Sequence, residues 1–182
     1  MKRVFIVIAI IIVASVIVLV GLRIYTKSFS PEAEASFKQG DFTIQVDYCQ
    51  PTKKERLIFG KAQDEALIPY GKVWRTGANE ATLIELSQPI TFMDGQTLAA
   101  GRYSLFTIPQ SDQWTIIFNK ETGQWGTNYD EVQNHLLVLA RSETLEEEIE
   151  AFTISFIEKA NQIDLVLRWD RTKVILPFKI ES

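Results

Sequence analysis

Val4 to Leu22 is an apolar run of 19 residues, interrupted only by Ser15 and Gly21 and free of charge throughout. As a helix it spans about 28 Å, close to the hydrocarbon thickness of a bilayer. The run is rich in Ile and Val, which favour strands in water. In lipid only a helix satisfies every backbone N–H and C=O within the segment. Lys2 and Arg3 precede it, and Arg23 and Lys27 follow it. The apolar core of a cleaved signal is shorter, about 7–15 residues, and ends near a small-x-small site. Here Ala33-Glu34-Ala35 lies well past the run, and Ser28-Phe29-Ser30 is followed by Pro31. No lipid-accepting Cys is near, because Cys49 lies far downstream. Residues 1–25 are therefore predicted as an uncleaved signal-anchor that makes the chain single-pass, with residues 4–22 in the membrane. The basic N-flank gives a slight positive-inside bias. It predicts a cytoplasmic N-terminus and an extracytoplasmic soluble part, periplasmic or cell-surface.

That run also distorts the composition. The chain is 46% hydrophobic, but without residues 1–22 the fraction is roughly 41%, still globular. The formal charge of −4 likewise becomes −6 once Lys2 and Arg3 are set aside. An acidic domain without a basic run does not suit nucleic acid. One Cys excludes an intrachain disulfide, and one His excludes a multi-histidine metal centre. No metal and no cofactor is expected.

Thr26 to Gly40 is polar and reads as a juxtamembrane linker over residues 26–40. From Asp41 the pattern changes to period two, with Phe42, Ile44, Val46 and Tyr48 alternating with polar residues, as in a half-buried strand. Further strands are predicted at Leu83–Leu86, Ile90–Phe92, Tyr103–Ile108 and Trp114–Phe118. Others follow at Leu136–Ala140, Phe152–Ile157, Ile163–Trp169 and Lys173–Lys179. Asp94-Gly95 is a favoured hairpin turn, and Asn161-Gln162 and Asp170-Arg171 are expected turns. Only Tyr129–His135 and Glu143–Glu150 could hold a helical turn. The acidic run Glu146-Glu147-Glu148 reads as a solvated face and lacks calcium-loop spacing. Nine or ten short strands define an all-β fold, a jelly-roll-like β-sandwich over residues 41–182, preceded by one transmembrane helix.

Two clusters could carry chemistry. The first is Pro69-Tyr70-Gly71-Lys72-Val73-Trp74-Arg75-Thr76-Gly77-Ala78-Asn79-Glu80-Ala81-Thr82. Arg75 offers a planar fork of donors suited to a carboxylate, phosphate or sugar hydroxyls. The competing and favoured reading is an internal Arg75–Glu80 salt bridge that pins the loop, with Trp74 in the core. The second cluster is Asn119-Lys120 with Trp125-Gly126-Thr127-Asn128-Tyr129. Trp125 and Tyr129 could pack on a sugar ring or a partner surface, or Trp125 could fold over the end of the sandwich. Catalytic patterns are weak. There is no Gly-x-Ser-x-Gly elbow, Ser-x-x-Lys motif or Gly-rich phosphate loop. Cys49 and His135 are an isolated pair, expected at a strand edge and a strand start. A hydrolytic pair of carboxylates needs only spatial proximity, and Glu80 and Asp130 are candidate members of one.

The segments Pro69–Thr82, Ala100–Pro109, Trp114–Lys120 and Trp125-Gly126 closely resemble domain-of-unknown-function family 2911, over about Asp41 to Phe178. The resemblance implies an extracytoplasmic, mostly β domain without an established activity. Matching positions are Trp74, Arg75, Gly77, Asn79, Glu80, Asn119, Lys120, Trp125 and Gly126. The chain departs from the family pattern in four places. Cys49-Gln50-Pro51 replaces Ser-Arg-Pro, Glu55-Arg56 replaces Gly-Arg, and Asn134 and Leu137 stand where Asp and Arg are common. The reading that follows is a non-catalytic binding module of the cell envelope. Its candidate ligand residues are Trp74, Arg75, Asn79, Glu80, Asn119, Lys120, Trp125 and Tyr129. The expected partner is an envelope glycan, a small anionic ligand or an envelope protein, with no nucleic acid. A purely structural domain, or a hydrolase using Glu80 and Arg75, are the alternatives.

Overall fold

In the computed structural model, which describes residues 2–181, the alternation of Phe42, Ile44, Val46 and Tyr48 becomes strand β2 (Phe42–Cys49) with every second side chain buried. The side chains of Lys2 and Arg3, used in the orientation reading, lie outside the described residues. Helix α1 spans Lys2–Phe29. Its apolar side chains from Val4 to Leu22 are exposed on every face, so no protein surface covers them. By length and composition it can cross a membrane, with a mean hydropathy of 3.4 over its most apolar window; a signal sequence shares those properties.

The helix runs further than expected, and the predicted linker over 26–40 is not one. After Ser30 and Pro31 the chain enters strand β1 (Glu32–Gln39), which pairs antiparallel with β2 from Glu32↔Cys49 to Gln39↔Phe42. β1 carries a weak sequence signal because its inward residues include small Ala33 and Ala35 and its outward ones are polar. As an edge strand it needs little apolar surface. The β domain therefore begins at residue 32, not 41.

The remaining strands are β3 (Phe59–Gly60), β4 (Ile68–Pro69), β5 (Thr82–Leu86), β6 (Ile90–Phe92) and β7 (Thr97–Leu98). They are followed by β8 (Gly101–Ile108), β9 (Gln113–Asn119), β10 (Asn134–Lys159) and β11 (Gln162–Ile180). Nine of them form one antiparallel sheet in the order β1-β2-β5-β8-β9-β10-β11-β6-β7, and β3 and β4 pair in parallel. The layers of the sandwich are thus parts of a single folded sheet. Phe42 meets Phe178 at 6.3 Å, Tyr48 meets Phe152 at 5.6 Å and Phe92 meets Phe118 at 5.6 Å between ring centroids.

The fold is accomplished by β10 and β11, each read from sequence as two strands. Glu143–Glu150, expected to allow a helical turn, is β10 backbone with register shifts between Thr144 and Thr153. Asp170 has φ +54 but bends β11 instead of ending it. Such bulges sharpen the local twist and turn a ribbon from one layer to the next. Residues 51–53 occupy the bend: Phe152 N–H donates to Pro51 O (2.9 Å), and Lys53 N–H donates to Glu150 O (2.8 Å). Lys53 Nζ also bridges Glu148 (2.8 Å) and Asp170 (2.9 Å).

The following turn closes with Arg56 N–H donating to Lys53 O, and its central residues Lys54 and Glu55 both have positive φ (+50 and +59). Left-handed backbone penalises a side chain with a Cβ. Glu55→Gly is expected to stabilise the domain by about 1 kcal/mol, read as a higher denaturant midpoint; a lower midpoint would contradict this account of the turn.

Candidate functional site

The loop between β4 and β5 folds back on the sheet at Trp74. Its N–H donates to Thr107 O (2.7 Å) and its carbonyl accepts from Thr107 N–H (2.8 Å). The indole Nε1 donates to Gly77 O at 3.0 Å. Trp74 is buried among Phe59, Trp114, Phe152 and Trp169. Below the loop three buried threonines connect: Thr76 Oγ1 donates to Thr107 Oγ1 (3.2 Å), and Thr82 Oγ1 donates to Thr76 O (2.8 Å). Thr76 and Asn79 take positive φ (+53 and +58), so the backbone curls tightly between them.

The two sequence clusters meet along one edge of this loop. Ala81 N–H donates to Gln124 O (3.2 Å), and Gly126 N–H donates to Asn79 O (2.9 Å). Glu80 and Trp125 form an antiparallel bridge between them. This ladder lays Gly126 beneath the Arg75 side chain. A Cβ on Gly126 would lie 2.2 Å from Arg75 Cδ, so the arginine stem crosses where only hydrogen fits.

The expected Arg75–Glu80 salt bridge does not form. Glu80 pairs instead with α1, at 2.6 Å to Arg23 and 3.3 Å to Lys27. Lys27 also bonds Glu32. The reason is local: the last turns of α1 bring two cations to the side of the loop where Glu80 emerges. Burial pushes the Glu80 carboxyl upward, but its own backbone N–H and the Arg23 and Lys27 side chains outweigh this and hold it below the usual range. Cys49 Sγ lies 3.7 Å from Glu80, and burial raises its thiol pKa.

Arg75 is half-buried and has no hydrogen-bond or acidic partner among the described residues. Burial lowers its pKa, yet a guanidinium stays charged at neutral pH. It lines a cleft of about 410 Å³ with Lys54, Arg56, Trp74, Trp169 and Phe29 among the wall residues, and no wall residue is acidic. Arg56 is held there by donating to Lys53 O (2.9 Å) and Thr52 O (2.7 Å). The ammonium of Lys54 sits 4.6 Å from the Phe29 ring centroid. Glu80 faces a separate cleft of about 780 Å³ with Arg23, Lys27 and Cys49.

The other candidates lie elsewhere. Asn119 is fully buried, donating to Asp130 O (2.8 Å) and Asn134 Oδ1 (3.0 Å) and accepting from Glu121 N–H (2.9 Å). Tyr129 packs on Phe106 at 4.8 Å, and its hydroxyl accepts from Asn134 Nδ2 (2.7 Å). Lys120 is exposed, tied by its backbone N–H to Gln133 O (2.9 Å). These residues fix the loop between β9 and β10 and do not line the Arg75 cleft. Asn79 Nδ2 reaches Ser30 O at 3.5 Å, joining the loop to the start of the domain. Trp125 is part-exposed beside the ladder. His135 stacks on Tyr103 at the start of β10, while Cys49 ends β2. Asp130 caps a 3-10 turn by accepting from Val132 N–H (3.0 Å) and shares no cleft wall with Glu80. Among the described residues no three His, Cys, Asp or Glu side chains group to hold a metal.

Lys54, Arg56, Trp169 and Phe29 were not among the sequence candidates. A signal existed in Lys53-Lys54-Glu55-Arg56, three cations in four residues.

The fold and site define a β-sandwich-like domain carried on one membrane-compatible helix, with a cationic cleft beside the helix–domain junction. The chain belongs to the family described as "Protein of unknown function (DUF2911)", whose profile matches residues 30–178. That match begins where α1 ends and the sheet starts. No curated protein and no solved structure matches the chain.

The Glu80 contacts have a pH signature. A carboxyl with a depressed folded pKa contributes stability that is full above its unfolded value of about 4.3 and lost as pH falls through the lower folded value. Arg23 is well exposed, so solvent screening limits the effect to about 1 kcal/mol or less. Glu80→Gln is expected to cost that much at pH 7, and the gap to wild type should close at lower pH. Denaturant unfolding at both pH values measures it; a gap that persists at pH 3 would show that the ion pairs are not its source.

Proposed function

We propose that the chain is a membrane-anchored, extracytoplasmic binding module of the cell envelope that takes small anionic ligands in the Arg75 cleft. The observation that carries this reading is the partly buried, unpartnered Arg75 guanidinium in a cleft with Lys54 and Arg56 and no acidic wall residue. Buried charge is normally paired. A carboxylate or phosphate would supply the missing partner, through the bidentate bonds that arginine favours. Trp74 and Trp169 offer an apolar wall to the rest of such a ligand. Anchoring is supported by the exposed apolar surface of α1 and by its two-residue connection to β1. The hydrolase alternative has no shared site to work in, because Glu80 and Arg75 line different clefts.

Melting the full chain in neutral detergent with inorganic phosphate or acetate, against chloride at equal ionic strength, tests the binding reading. A saturable rise is expected, worth about 2.7 kcal/mol at a hundredfold excess over Kd. Arg75→Met keeps the stem over Gly126 and should abolish it. An identical rise in the variant, or none in wild type, would remove the assignment. A reporter fused to the C-terminus and active only outside the cytoplasm tests orientation; activity confined to cytoplasmic reporters would reverse it.

A further inference from the structure

The position of the cleft along α1 says where its anion comes from. Phe29, on the cleft wall, lies seven positions beyond Leu22, the end of the apolar run. At 1.5 Å per residue that is about 10 Å. The headgroup layer on each side of a bilayer is about 5–8 Å deep. A membrane-spanning α1 thus holds the cleft at the outer edge of the headgroups.

The surface there is built for that boundary. Tyr25 and Phe29 are exposed and meet edge to face at 4.9 Å, the aromatic placement found at membrane interfaces. Leu57 and Leu67 are also exposed, and Leu67 N–H donates to Leu57 O at 2.9 Å, so the two are held together. Leu67 and Phe29 line the cleft alongside Lys54, Arg56 and Arg75. Exposed apolar residues beside clustered cations form a surface that suits anionic lipid. Arg23 and Lys27 lie nearer the bilayer on the same helix, but their charge is already engaged by Glu80 and Glu32.

We infer that the anion held in this cleft is the phosphate of an anionic phospholipid headgroup from the bilayer that α1 spans. The inference rests on the binding reading above and adds the source of the ligand. Because α1 tethers the domain, headgroups are present at high effective concentration, and a weak site is filled without high intrinsic affinity. The three cations would select a headgroup with net negative charge over a zwitterionic one.

The test uses the full chain in neutral detergent, titrated separately with phosphatidylglycerol, phosphatidylcholine and inorganic phosphate. Bound lipid is counted by native mass spectrometry, and melting is followed in parallel. Phosphatidylglycerol is expected to be retained about tenfold over phosphatidylcholine, whose phosphate is the same but whose choline cation the three protein cations repel. Arg75→Met should erase that preference. Lys54→Gln, at an exposed position, should reduce it about fivefold and carries the test if Arg75→Met fails to fold. Equal retention of the two lipids, with an Arg75-dependent response to phosphate, would overturn the lipid source and leave the anion cleft standing. No response to either lipid or phosphate would overturn both. A preference untouched by both variants would place the lipid elsewhere and also overturn the inference.

Discussion

Trp74→Ala is expected to cost about 3–5 kcal/mol, the range for emptying a large aromatic site in a core. The indole is stacked on Trp169 at 5.8 Å and meets Phe152 edge-on at 5.0 Å, Phe59 at 5.6 Å and Trp114 at 6.1 Å. Those neighbours come from β3, β9, β10 and β11, so the cavity would open where both layers meet. The Gly77 carbonyl would also lose its indole donor, which adds an unmet buried acceptor. For a chain of this size the melting temperature should fall by roughly 6–20 °C. Trp74→Phe retains much of the ring and should cost about half as much, with the lost hydrogen bond included. A loss below 1 kcal/mol for the alanine variant would mean that this cluster does not hold the layers together.

Most of the sheet was legible because its strands are apolar on one face. Every second residue of β2, and Trp114, Ile116 and Phe118 of β9, are buried as the period-two pattern requires. The Asp94-Gly95 turn was legible from the need for positive φ, and Gly95 has φ +85. What failed were segments whose structure comes from partners distant in sequence. Glu146-Glu147-Glu148 carries no apolar alternation, yet pairing with β11 draws the surrounding residues into β10. Asp170 gave a correct local signal for left-handed backbone, but the same φ serves a bend in a long strand as well as a turn. β1 has the alternation with alanines in place of large residues, and its pairing with β2 decides its state.

The site was legible in its residue types and less so in its pairings. Arg75 and Glu80 lie five residues apart, so an ion pair between them was a natural expectation. The loop curls through Thr76 and Asn79 at positive φ, and the two side chains emerge into different clefts. Glu80 then finds cations that sequence distance concealed, 53 and 57 residues earlier in α1. Asn119 and Tyr129 have a structural role that spacing alone does not reveal. They close a network with Asn134 and Asp130 that holds the β9–β10 loop, and that loop delivers Gly126 to Arg75.

Gly126→Ala should therefore damage both the loop and the cleft. The added Cβ would lie 2.2 Å from Arg75 Cδ, 2.8 Å from Arg75 Cβ and 2.9 Å from Asn79 O. The Cδ belongs to a flexible stem and can swing away. Arg75 Cβ and the Asn79 carbonyl are fixed by the backbone, and that carbonyl accepts the Gly126 N–H. Relief requires prising the Glu80–Trp125 ladder apart and moving Arg75 toward the cleft. Overpacking of this kind costs about 1–3 kcal/mol; the clash with backbone places Gly126→Ala at the upper end, with the response to phosphate lost. A double-mutant cycle with Arg75→Ala separates the causes. Removing the stem takes away the closest contact, so the double variant should be more stable than the sum of the single losses by about 1 kcal/mol. Strict additivity would mean that the Asn79 carbonyl, and not the arginine stem, is what requires glycine at 126.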